Sequence, residues 1–172
     1  YKNLTYGNSS GVYSVQNLLT ALQRMKMAAS FFFTVPGPKM IWQFGELGYD
    51  INIDFNGRVG EKPIKWDYYE EPARKKLYDV YSALINLRKE YDIFMTTDFQ
   101  LSVASSKKRI QLNSDTLNIT IIGNFGVTAG TISPNFQSTG KWYDYFSGDS
   151  IDVVDSAEAV TLEPGEFHTY SD

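Results

Sequence analysis

Residues 31–50, FFFTVPGPKMIWQFGELGYD, decide how this 172-residue chain is read. An apolar run stops at Pro36-Gly37-Pro38: the two prolines cannot continue a helix, and Gly37 accepts the left-handed backbone of a helix exit. Met40-Ile41-Trp42-Gln43-Phe44 is nearly all apolar and does not alternate, as expected of a parallel strand covered on both faces. Gly45-Glu46-Leu47-Gly48 then closes it as a glycine loop. Helix end, turn, buried strand and loop, in that order, predict one unit of an α/β domain.

Upstream, Val15, Leu18, Leu19, Leu22, Met25 and Ala29 recur at spacings of three and four, which predicts a helix over residues 14–30 with Ser14 as its N-cap. Residues 1–11 are polar and rich in Gly, Asn and Ser, and read as an entry loop cut from something longer. Downstream, residues 45–72 form a long loop without a period. Leu77, Val80, Tyr81, Leu84, Ile85 and Leu87 then mark a second amphipathic helix over 71–91. From Ile93 onward, short alternating β-branched and aromatic segments separated by turns predict antiparallel strands at 99–104, 109–113, 117–125, 130–133, 140–144, 159–162 and 166–170. The expected fold is α+β: residues 1–92 as a helix-strand-helix remnant of a (β/α)8 barrel, and residues 93–172 as an antiparallel β-sandwich domain.

Thr34, Pro36, Gly37, Glu46, Leu47 and Gly48 resemble the last barrel strand and its flanks in the α-amylase superfamily, glycoside hydrolase family 13. Members carry Thr-x-Pro-Gly-x-Pro, an apolar strand and Gly-Asp-Glu-Leu/Phe-Gly. Here Pro38 follows Gly37 at once, and Phe44-Gly45 stand where Gly-Asp is usual. Arg58, Pro63 and Trp66 are similar to the segment after that strand. Leu84-Ile85-Asn86-Leu87-Arg88 resembles the end of the last barrel helix. Asn118–Phe125, Gly140-Lys141-Trp142-Tyr143-Asp144 and the Leu162–Tyr170 segment are similar to strands of the family's C-terminal domain, so the resemblance covers nearly the whole chain, motif after motif in order.

The resemblance implies a parent enzyme that hydrolyses or transglycosylates α-1,4-glucosidic bonds with retention, using two carboxyl groups about 5 Å apart. It also implies that those groups lie on earlier barrel strands, so that this chain alone is inactive and structural, its partners being the rest of the barrel and, through it, the α-glucan. A 1,4-α-glucan branching enzyme as parent, or a carbohydrate-binding module using exposed aromatics, are the alternatives. No residue of this chain is expected to be catalytic. For Glu46 two readings stand: contact with sugar at the cleft, or hydrogen bonds that fix the glycine loop. Tyr68, Tyr69 and Trp142 are either sugar-stacking platforms or packing residues.

Charge and composition narrow the rest. With 16 basic and 20 acidic residues the net charge is −4, and the basic residues come in short scattered clusters, which argues against a nucleic-acid surface. Cysteine is absent, so no thiol metal site exists, and lone His168 lacks a second imidazole. Asp50, Asn52, Asp54 and Asn56 alternate like a calcium loop but lack its glycine and terminal glutamate, and also fit a polar/apolar strand alternation. No metal or cofactor is expected. The longest apolar run, residues 28–36, is far short of the roughly 20 residues of a membrane span. A periplasmic or secreted bacterial location is favoured over a cytoplasmic one, with any export signal lying upstream.

Overall fold

Asn17 starts the first long helix. Its Oδ1 accepts the amides of Leu19 and Thr20 at 2.9 and 3.3 Å, satisfying two of the donors a helix start leaves without partners. In the computed structural model, which describes Tyr1–Asp172, this helix is α2 (Leu18–Thr34). It begins later than its apolar spacing suggests because Ser14 is already used: a short helix, α1 (Lys2–Tyr6), leads into a hairpin of β1 (Ser9–Ser10) and β2 (Tyr13–Ser14). The expected entry loop is thus folded. α3 (Pro72–Glu90) matches its reading, with Pro72 in the first turn where no amide partner is needed and Arg88 and Lys89 at the negative end of the helix dipole.

The strand expected over residues 40–44 does not form. Those residues run irregularly into a turn, with the Gly45 amide donating to the Trp42 carbonyl at 2.8 Å. Met40 is 84% and Trp42 56% exposed, while Phe44 is buried. A central parallel strand is held by ladders on both edges, and here no strand lies beside it to supply either. Gly37 does take the left-handed exit, at φ 97°.

The second half supplies β3 (Phe99–Ser102), β4 (Lys107–Leu112), β5 (Ile119–Asn124), β6 (Gly130–Ile132), β7 (Gly140–Asp144), β8 (Ser150–Val153), β9 (Val160–Leu162) and β10 (Phe167–Ser171). Six form an antiparallel sheet in the order β3-β4-β5-β10-β7-β8, and β6 pairs with β9 in a small second sheet. β8, absent from the sequence reading, hairpins with β7 through register pairs such as Trp142 with Ile151.

β5 is buried along its whole length because both of its faces are covered. Ile119 and Ile121 face Met27, Phe31, Leu87, Ile93 and Phe94 of the helical half, together with Ile110 and Leu112. Ile122 faces the other way, into Phe136, Trp142, Val153, Leu162 and Tyr170 under the small sheet. α2 packs on α3 through Leu22, Ala29, Phe33, Leu77, Tyr81 and Leu84. The molecule is therefore layered as helices, large sheet and small sheet, an α+β arrangement. Gly123 is where α2 comes closest: a Cβ there would lie 2.8 Å from Phe31 Cε2 and 3.1 Å from Met27 Sδ.

Two arginines tie element ends together, one between helix and sheet and one between the two helices. Arg24 of α2 donates to the Phe125 and Gly126 carbonyls at 2.7 and 3.0 Å. Arg88 of α3 donates to the carbonyls of Phe33, Val35 and Gly37, which explains the arginine in the Leu-Ile-x-Leu-Arg motif: it caps the C-terminal end of α2. No helix is long and apolar enough to cross a membrane.

Candidate functional site

The glycine loop is a single turn of 3₁₀ helix, Gly45–Leu47, closed by Gly48 at φ 71°. Gly48 takes this positive φ without strain, and a Cβ there would also sit 2.5 Å from Leu22 Cδ2. Behind the loop lies Arg74, which is 3% exposed. Its Nη1 donates to the Leu47 and Gly48 carbonyls at 3.1 and 2.8 Å, its Nη2 to Asp50 at 2.9 Å, and its Nε to Glu71 at 2.7 Å. The guanidinium stacks 3.8 Å from the Tyr68 ring centre, and the Tyr68 hydroxyl donates to the other Asp50 oxygen. One buried cation thus fixes the loop, the segment after it and the start of α3.

The electrostatics follow from that wiring. Burial alone would raise the Asp50 carboxyl, but hydrogen bonds from Tyr68 and Arg74 and the guanidinium charge outweigh it and hold the pKa below its ordinary value. Tyr68 is pushed up by burial and by its bond to Asp50. Asp50 is therefore a carboxylate partner of the arginine, unsuited to general-acid work. Arg74 was legible only as part of a basic cluster; its spacing of three from Glu71 at a helix start was the available signal.

The residues singled out from the sequence are not brought together. Glu46 sits half-buried in the 3₁₀ turn, and its carboxylate makes no hydrogen bond within the chain; the loop is fixed by Arg74 instead. Tyr68 is buried at 6% exposure and occupied by Asp50, so it offers no face to a sugar. Tyr69 points outward, half-exposed, edge-on to Tyr78 at 5.3 Å. Trp142 is fully buried against Phe136, with its indole N–H on the Ser138 carbonyl at 3.2 Å, and is core rather than platform. Trp66, named with Arg58 and Pro63 from the sequence, is 72% exposed and touches Phe44 edge-on.

The alternating stretch from Asp50 to Asn56 is neither strand nor ion cage. Asp50 is committed to Tyr68 and Arg74, Asn52 Oδ1 accepts the Asp54 amide at 3.1 Å in a turn, and Asn56 and Gly57 both have positive φ. His168 has more partners than its isolation in the sequence suggested: Nδ1 lies 2.6 Å from Asp144 and Nε2 3.1 Å from Glu166. The Asp144 bond raises the imidazole pKa more than burial lowers it, and Glu166 adds to the rise. Asp144 is held low, its burial outweighed by His168 and the Phe146 amide. With both ring nitrogens occupied, this is a clamp on the sheet and not a nucleophile-activating base.

An apolar helix pair ending in a Pro-Gly-Pro exit is thus joined, through an arginine-fixed glycine loop, to a β domain packed on the helices. No protein-family model matches the sequence, and no curated protein is significantly similar to it. Solved structures do match in fold. AmyP in complex with maltose gives a TM-score of 0.70 at 15% identity, over 97% of this chain and 37% of that one. The α-amylase from Geobacillus thermoleovorans complexed with acarbose gives 0.67 at 15% identity, over 91% and 34%. A cyclomaltodextrinase gives 0.70 at 19% identity, over 88% and 26%. The chain spans between 26% and 37% of the length of these structures. The likeness to each of them is one of fold, over about a third of its length or less.

Proposed function

We propose that this chain is the end of the catalytic barrel and the C-terminal domain of an enzyme acting on α-1,4-glucans by a retaining mechanism, and that residues 1–92 and 93–172 are its barrel and sandwich portions. The observation that carries the reading is the fold match over 97% of the chain to AmyP in complex with maltose. The chain's part is structural: it closes the barrel, holds the Gly45–Leu47 turn with Arg74, and backs the helices with the sheet. Glu46, free of internal hydrogen bonds, is the residue proposed to meet sugar, while the acid and nucleophile come from elsewhere in the parent. Exposed Met40, Ile41 and Trp42 are the surface that fits against the remaining barrel.

The test is a reducing-sugar assay on maltoheptaose and starch, run on a longer protein containing this chain and on the 172-residue chain alone. The longer protein is expected to release sugar, and the chain alone to release none. A longer protein inert towards every α-glucan would refute the reading, as would release of sugar by the chain itself. Branching activity, seen as altered iodine staining without new reducing ends, would select the transferase alternative.

A further inference from the structure

Between the C-terminal end of α3 and the near ends of β5 and β10 runs a furrow that the proposed function does not use. One part, of about 240 Å³, is lined by Leu87, Tyr91, Ile119, Tyr145 and Asp172, among others. A second, of about 410 Å³, continues past Asp92, Met95 and Ser114. Tyr91 and Leu117 line both parts, so the two hollows adjoin, one on each side of Tyr91. Leu87 and Ile119 are buried and make an apolar floor. Tyr91 and Tyr145 are 41% and 42% exposed, each with part of its ring turned to solvent.

The polar groups of this groove are hydroxyls and carboxylates. Ser171, Ser114 and Thr116 line it beside Glu90, Asp92 and Asp172, and no lysine or arginine lines either part. Asp172 is held in place by Asn118, whose amide and side-chain nitrogen both donate to its carboxylate at 2.8 Å. An acidic rim without a cation repels phosphates, nucleic acids and uronates. Aromatic faces over an apolar floor, edged by acceptors, match a ligand with C–H faces and many neutral hydroxyl donors.

We propose that the Tyr91–Tyr145 furrow is a non-catalytic binding site for a neutral oligosaccharide, an α-glucan chain of several units. This identification of the sugar rests on the glucan-enzyme reading above, whereas the preference for a neutral polyol rests on the furrow itself. Length favours an oligosaccharide over a monosaccharide, since the groove continues on both sides of Tyr91. Tyr91 stacks on one sugar face, Tyr145 brackets a neighbouring unit, and Asp172 accepts from a hydroxyl.

Calorimetric titration of the 172-residue chain with maltoheptaose tests it, with decalysine and cellohexaose as comparison probes. Maltoheptaose is expected to bind, with Tyr91→Ala weakening it about tenfold, the equivalent of one lost stacking contact. Tyr91 makes no side-chain hydrogen bond and is half-exposed, so the variant should keep its fold; circular dichroism checks this. Tyr143→Ala, at a tyrosine outside the furrow, should bind as the parent chain does. No heat up to about 10 mM ligand, equal affinity in Tyr91→Ala, or Tyr91-dependent heat with decalysine in place of the sugar would each overturn the proposal. Tyr91-dependent binding of cellohexaose alone would keep the polyol site and overturn its α-glucan assignment. Sugar release by a longer protein, together with no Tyr91-dependent heat, would sink the furrow and leave the enzyme reading standing.

Discussion

Replacing Arg74 by methionine keeps much of the side chain's length and apolar stem while removing its charge and all its donors. In the structure this strips hydrogen bonds from the Leu47 and Gly48 carbonyls and leaves Asp50 with only Tyr68 as a partner. A buried acceptor left unpaired costs about 1–3 kcal/mol, and breaking a buried ion pair from one side costs about 3–5 kcal/mol. Asp50 keeps 23% of its side-chain surface in water and Glu71 47%, which puts the ionic part at the low end and makes the Glu71 contact nearly worthless. The expected loss is about 3–4 kcal/mol, or roughly 10 °C in melting temperature for a chain of this size. Urea denaturation followed by circular dichroism measures it. A double-mutant cycle with Asp50→Asn then separates pair from loop: the second substitution should cost much less in the Arg74→Met background. A loss below about 1 kcal/mol, or strict additivity of the two substitutions, would falsify the claim that one buried arginine organises the loop.

Three further substitutions probe the layers. Gly123→Ala should cost about 1–3 kcal/mol by forcing a methyl against Phe31 and Met27, and a thermal melt unchanged from the parent would mean that α2 does not lie so close to β5. Trp142→Ala should lose about 3–5 kcal/mol from the fully buried cluster with Phe136 while leaving any maltoheptaose affinity intact in the folded protein; lost affinity at unchanged stability would restore the platform reading. His168 is raised above its ordinary 6.5 and Asp144 lowered below 3.8, so the clamp stabilises fully between those two values. Stability should fall as pH rises from 6.5 through the folded imidazole pKa, and fall at the acid end as Asp144 protonates; His168→Gln should flatten the alkaline limb, and an unaltered pH profile would count against the clamp.

What the sequence made legible was whatever local pattern decides. The α3 stripe, the strand over residues 140–144 and the Gly37 exit follow from periodicity and backbone chemistry that hold regardless of neighbours. The misreadings all depended on partners. Residues 40–44 carry the composition of a buried strand, yet with no ladder alongside they bend into a turn and leave Met40 and Trp42 in solvent. Tyr68 and Trp142 look like their exposed neighbours Tyr69 and Tyr143 in sequence; only the pleat of β7 and the direction of a 3₁₀ turn separate inside from outside. Arg74 and His168 acquire their roles from Asp50 and Asp144, each 24 residues away, a separation no local pattern spans.

The same contrast bears on how the two halves depend on each other. A sandwich joined to a barrel by a flexible linker would bury its own core, and the helices would bury theirs. Here Met27, Phe31 and Leu87 from the helices share one cluster with Ile110, Leu112, Ile119 and Ile121 from the sheet, and Ile93 and Phe94 of the connecting turn lie in its middle. The ties at the rim are likewise shared: Arg24 reaches from α2 to carbonyls just past β5, and Ser30 Oγ lies 3.4 Å from Thr169 Oγ1. Separating the chain near residue 92 would expose that cluster on both pieces, leaving each only the smaller clusters of its own residues. Met40, Trp42, Ile64 and Trp66 are instead left exposed, outside every strand ladder. The sheets and the two long helices are therefore joined through a shared core, and these residues are among the large apolar side chains it leaves uncovered.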